Sequence, residues 1–164
     1  MIGKTTLSAL RTLLLLARQE TATCWSPRRL AESLGESPTY LAKVVRHLVK
    51  RGILEAEKGV KGGVRLARNP ANVTLLDIVE ACQGTILSDH CRSTLPDSGV
   101  CNFHRAAVEL HDSITNVLER WTLAVLMQHP CATGGGIGLD CLIARGQHGT
   151  AKGNEHKTGL EIWS

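Results

Sequence analysis

The chain has 164 residues, of which 43% are hydrophobic and 21% charged, a balance that excludes a wholly disordered chain and leaves room for one domain with an extension. Its longest apolar run, Leu13 to Ala17, is five residues against the roughly 20 that cross a bilayer, so no membrane partner is expected. The net charge of +4 is unevenly placed: residues 1–90 hold 13 Lys/Arg against 8 Asp/Glu, residues 91–129 hold 3 against 4, and residues 130–164 hold 3 against 3. A polyanionic partner would therefore dock on the N-terminal half.

Residues 5–18 place Leu7, Leu10, Leu13, Leu14 and Ala17 at helical spacing, with a face wide enough for burial on two sides. Ser26-Pro27 then reads as an N-cap and first-turn proline opening the short helix PRRLAESL, which Gly35 ends. Ser37-Pro38 repeats the signal and opens TYLAKVVRHLVKR, closed by Gly52. Two such helices joined by a short glycine-containing turn are the sequence form of a helix-turn-helix.

In the second helix Leu41, Val44, Val45 and Leu48 follow the i, i+3, i+4, i+7 rule and should face the core. Thr39, Tyr40, Lys43, Arg46, His47 and Lys50 project elsewhere, giving a basic surface with one aromatic. ILEAEKGVKGGVRLAR follows, with strands expected over 53–57 and 64–67 and Gly59, Gly62 and Gly63 shaping the hairpin between them. A basic hairpin directly after a helix-turn-helix is a winged helix, whose wing reaches phosphates or the minor groove while the second helix enters the major groove. Thr74 is placed to cap a short amphipathic helix over 74–82.

Residues 83–102, with Gly84, Pro96, Gly99, Cys91 and Cys101, read as a loop. From Asn102 to about Gln128 the apolar spacing predicts one long helix of about 40 Å, longer than the small head can cover and suited to packing against its twin in a dimer. The tail over 130–164 is glycine-rich without a sustained period and is expected to be flexible.

No signal-peptide pattern opens the chain, so a cytoplasmic protein is expected, and six cysteines are many for that compartment. Metal ligation or redox sensing is the reading they invite. Cys24 and Cys82 read as small buried hydrophobes, and Cys131 and Cys141 as exposed thiols in the tail. No nucleophile with a nearby base motif, no H-E-x-x-H and no paired carboxylates emerge, which argues against an enzyme.

The leading apolar helix, SPRRLAESLGESPTYLAKVVRHLVKRGIL, the wing GVKGGVRLAR and TLLDIVEAC together resemble the Rrf-two family of bacterial winged-helix transcription regulators, of the IscR and NsrR kind, over roughly residues 4–128. The resemblance implies a mainly α fold with a small β wing: a winged helix-turn-helix domain plus a long C-terminal dimerisation helix. It implies a homodimer on palindromic double-stranded promoter DNA, often controlled by an iron–sulfur cluster. In the family pattern the last loop cysteine and a histidine ligand are separated by two residues, a spacing that Cys101-Asn102-Phe103-His104 reproduces. The loop holds two cysteines rather than the usual three, which favours a two-iron (2Fe-2S) cluster over a four-iron (4Fe-4S) one. Cys91, Cys101 and His104 are the implied ligands; Leu7 occupies the slot where some members place an acidic one, leaving His90 and His111 as candidates for the fourth. Thiolates suit such clusters, and histidine in place of cysteine raises the reduction potential.

The expected organisation is thus a DNA-binding domain over 1–82, a sensor loop over 83–102, a dimerisation helix over 103–129 and the tail. The expected DNA-facing residues are Arg28, Ser37, Pro38, Thr39, Tyr40, Lys43, Arg46, Lys50, Lys58, Lys61 and Arg65. The expected function is a transcription regulator whose cluster senses redox state, iron or nitric oxide. The alternatives are a cluster-free regulator of the same fold switched by cysteine oxidation or a small molecule, and an iron–sulfur or zinc protein whose helix-turn-helix serves protein contacts.

Overall fold

The computed structural model describes residues 2–19, 24–59, 62–86 and 101–128. Helix α1 (Lys4–Ala17) buries Ala9, Leu10, Leu13, Leu14 and Leu16. On its polar seam the buried Thr12 hydroxyl donates to the Ser8 carbonyl at 2.8 Å, so a hydroxyl inside the fold keeps a partner.

Helices α2 (Pro27–Leu34) and α3 (Pro38–Lys50) begin as the punctuation predicts. The Ser26 hydroxyl accepts the Arg29 N–H at 3.2 Å and Ser37 accepts that of Tyr40 at 3.5 Å, with proline in each first turn. Their ends are also alike. Gly35 and Gly52 both take the left-handed conformation, at φ 64° and 65°. After Gly35, the Glu36 N–H donates to Ala31 O at 2.9 Å; after Gly52, the Ile53 N–H donates to Leu48 O at 3.0 Å. This is the paired closure in which glycine avoids the Cβ penalty.

Strands β1 (Leu54–Glu57) and β2 (Gly63–Leu66) pair antiparallel, Leu54 opposite Leu66 and Glu55 opposite Arg65. The far edge of β2 pairs with Trp25, which exchanges two hydrogen bonds with Val64 at 3.0 and 2.9 Å. Gly63 makes this approach possible, since a Cβ there would lie 2.6 Å from the Trp25 carbonyl. A 3-10 turn over Pro70–Asn72 leads to α4 (Leu75–Gln83), capped by a reciprocal Thr74–Asp77 box.

The single helix expected over 102–128 is two helices. α5 (Asn102–Arg120) ends at Trp121, and α6 (Leu123–Gln128) starts after Thr122. Tertiary pairing causes the break: the Leu75 N–H donates to Trp121 O and the Leu123 N–H to Val73 O, both at 2.8 Å. Leu123 becomes fully buried, and Leu126 and Met127 pack on the same core. Leu13, Leu30, Leu41, Leu48, Ile53, Leu54 and Ile78 fill its centre. Among the described residues no helix is long and apolar enough to cross a membrane.

Candidate nucleic-acid interface

Helix α3 turns Leu41, Val44, Val45 and Leu48 into the core and leaves Thr39, Lys43, Arg46, His47 and Lys50 exposed. Lys43, Arg46 and Lys50 lie three and four residues apart, so their heads line one stripe. Its sequence PTYLAKVVRHLVK contains no carboxylate, and these three cations have no acidic partner among the described residues. Lys58, exposed at the end of β1, is likewise unpaired there. Ser37 and Pro38 frame the helix start.

Other predicted DNA-facing residues are engaged within the protein. Arg28 reaches Glu32 one turn on, at 3.1 Å on an exposed face. Arg65 lies across the hairpin between two carboxylates, 2.8 Å from Glu55 and 3.1 Å from Glu57. Tyr40 is half-buried against the core with the Lys4 ammonium 5.4 Å from its ring centroid, and its hydroxyl is buried without a hydrogen-bond partner among the described residues. Lys61 lies outside the described residues.

Several residues that position the head have no local sequence signal. Arg51 pairs with Glu80 of α4. The Arg68 guanidinium donates to the carbonyls of Gly52 at 3.0 Å and Arg51 at 2.8 Å, and lies 3.6 Å from Asp77. One arginine therefore holds the end of α3, the base of the wing and the first turn of α4 together, with its cation at a helix C-terminus. Glu36, between Gly35 and the Ser37 cap, accepts the Ser8 hydroxyl at 2.6 Å and lies 3.7 Å from the Arg11 guanidinium. The Arg29 guanidinium stacks on Trp25, 3.8 Å from the ring centroid.

Of the predicted cluster ligands, Cys91 lies outside the described residues, as do His90, Cys131 and Cys141. Cys101 is exposed and is itself the N-cap of α5, its Sγ accepting the His104 N–H at 3.4 Å. His104 is half-exposed one turn into the helix. His111 faces Asp112, with 3.1 Å between Nδ1 and Oδ1. Among the described residues no three His, Cys, Asp or Glu side chains converge as a metal site. Cys24 and Cys82 are partly buried free thiols. Desolvation pushes both upward from 9.0, and at Cys24 the nearby Glu57 carboxylate adds to it.

Comparison with known proteins accords with this architecture. The model of the Rrf2 (Rrf-two) family, described as iron-dependent transcriptional regulator, matches residues 2–129. The HTH-type transcriptional regulator NsrR of Halalkalibacterium halodurans is 31% identical over 123 residues, covering 73% of this chain and 84% of that protein. Among solved structures, CymR, the global cysteine regulator of B. subtilis, superposes with a TM-score of 0.62 at 22% identity, over 78% of this chain and 96% of that one. IscR of T. potens gives 0.61 at 24% identity, over 78% and 86%. These two likenesses show the fold: mostly helical, with a small two-stranded wing. The family match extends through the head, α5 and α6, and on that ground the chain belongs to the Rrf2 family of winged-helix, DNA-binding transcription regulators.

Proposed function

We propose that this regulator works as a homodimer on a palindromic operator, with α3 in the major groove. Thr39 and the first turn of α3, framed by Ser37 and Pro38, approach base edges, with Tyr40 packed beneath them. Lys43, Arg46, Lys50 and Lys58 neutralise phosphates, and Lys61 joins them by its place in the wing sequence. The carrying observation is the cationic stripe of a carboxylate-free α3, unpaired among the described residues. It contrasts with Arg28 and Arg65, which already face glutamates and would contribute less.

The dimer reading rests on α5. Phe103, Ala107, Leu110, Ile114, Val117 and Trp121 recur at alternating spacings of four and three, the pattern of a helix that packs on its own copy. Phe103 is 78% exposed, and Leu110, Val117 and Trp121 are exposed beside it. Leu118 instead is buried within its own protomer, 7% exposed, on the helix that packs against α4.

For control, the donors fit an iron–sulfur cluster in kind. Cys101 offers an exposed sulfur at a helix N-terminus, which favours an anionic ligand, and His104 follows on the first turn. Cys91 and a fourth residue would complete the set. A cluster bound there would supply reversible electron transfer, and a 2Fe-2S form with imidazole ligation would have a raised potential. Because Cys101 also caps α5, ligation couples the loop to the dimer helix through one sulfur. A second reading, a cluster-free thiol switch, is supported by the likeness to a protein named as a cysteine regulator.

The test begins with anaerobic purification, an absorption spectrum, and iron and sulfide analysis. Cys101→Ala should bleach the visible absorption and change DNA affinity, whereas Cys141→Ala should do neither; a colourless, iron-free protein selects the thiol switch. Duplex binding should weaken linearly in log–log salt plots, with Lys50→Ala flattening the slope by about one unit. Salt-insensitive binding would defeat the DNA interface.

A further inference from the structure

Glu36 lies in the three-residue turn between the two helices of the reading motif, and it contacts both α2 and α1. Its backbone N–H closes α2 on Ala31 at 2.9 Å. Its side chain leaves the motif and enters α1, accepting the Ser8 hydroxyl at 2.6 Å beside Arg11 at 3.7 Å. The arrangement is mostly shielded from water, with side-chain exposures of 16% for Arg11 and 11% for Glu36, and Glu36 Oε2 has no partner among the described residues. The following residue, Ser37, is the cap of α3.

We infer that Glu36 is a positioning residue for sequence discrimination: anchored by Ser8 and Arg11, it sets where the first turn of α3 sits, without touching DNA. This inference rests on the DNA-reading proposal above. A poorly solvated carboxylate held by a hydroxyl donor and beside a guanidinium has few alternative positions, because moving away leaves its own charge less compensated. The backbone on both sides inherits that restraint. Base-edge contacts come from the start of a reading helix and tolerate little displacement, since hydrogen bonds weaken steeply off distance and angle. Lysine and arginine heads further along α3 have long stems and follow phosphates after a small shift. Loosening Glu36 should therefore reduce the difference between right and wrong sequences while leaving affinity for any duplex nearly intact.

The experiment uses the full chain. A duplex selected by the wild type from random-sequence DNA is compared with a scrambled duplex of equal length and composition, for wild type, Glu36→Ala and Glu36→Gln. Glu36→Ala should lower the selected-to-scrambled affinity ratio by about tenfold, the size of one mismatched base pair. Its affinity for the scrambled duplex should stay within about twofold, and its salt slope should not change. Glu36→Gln keeps an acceptor for Ser8 and gives up the charge facing Arg11. It should show a smaller loss in the same ratio, and it carries the test if the alanine variant does not fold. A merely structural role would lower the melting temperature and weaken both duplexes equally. That result, or an unchanged ratio in a folded variant, overturns the inference while the DNA reading stands. A wild type that selects no duplex defeats the DNA reading itself, and this inference with it.

Discussion

Replacing Leu110 and Val117 together with lysine should convert the protein from dimer to monomer without unfolding it. Both side chains lie on the outer stripe of α5, 55% and 49% exposed, where the proposed partner helix would cover them. Full burial of an aliphatic side chain stabilises by about 1.5–3 kcal/mol, so covering the exposed half contributes about 1 kcal/mol per residue. A twofold axis counts each substitution twice. The double variant therefore loses about 4 kcal/mol, or about a thousandfold in dissociation constant, before any cost of desolvating the new ammonium groups. Sedimentation velocity across a concentration series measures this directly, with circular dichroism as the control for folding. Leu118→Lys supplies the contrast: at 7% exposure within its own protomer, it should unfold the chain. A double variant that sediments like the wild type, or a wild type that is monomeric at tens of micromolar, would refute the assignment of this face to a second copy.

Gly63→Ala should destabilise the head by about 1–3 kcal/mol, because its Cβ would meet the Trp25 carbonyl at 2.6 Å and push apart the two bonds to Val64. Thermal melting reads this as a drop of several degrees, and an unchanged melting temperature would mean that the wing does not rest on Trp25. Burial raises the Cys82 thiol above its ordinary 9.0, so the stability that depends on its neutral form is fully present below pH 9.0 and is lost as pH rises through the higher folded value. Urea midpoints of the wild type should fall more steeply above pH 9 than those of Cys82→Ala; parallel curves would contradict the assigned cause.

The reading motif was legible because its signals are local. Ser-Pro starts and glycine stops act within one turn of the chain, so PRRLAESL and the helix after it were placed to within a residue or two of where they fold. The wing was legible from its glycines. The break at Trp121 was not, since Arg120-Trp121-Thr122-Leu123 contains neither proline nor glycine and apolar spacing continues across it. Its cause, pairing with Val73 and Leu75, lies more than forty residues away in the chain. Charge partners were hidden for the same reason. Arg65 looked available until the hairpin register set Glu55 opposite it, and no local pattern marks Glu36, which α1 brings beside Ser8 and Arg11. Of the proposed ligands, Cys101 caps α5 and His104 lies in its first turn, whereas Cys91 lies outside the described residues.

The junction at Trp121 also has a mechanical consequence. α5 has 19 residues and so is a rod of about 28 Å, fastened to the head at its far end by the backbone pairing of Trp121 and Leu123. Its other end is Cys101. A rod clamped at one end works as a lever: a tilt of about 5° at the clamp carries the opposite end through about 2.4 Å over that length. If two such rods are crossed in a dimer, the gearing runs in reverse, and a small change of crossing angle at the Cys101 end spreads or closes the two reading heads. Operators whose half-sites sit one helical turn apart, about 34 Å, would register that change as a mismatch in span, even though every contact within each head stayed the same.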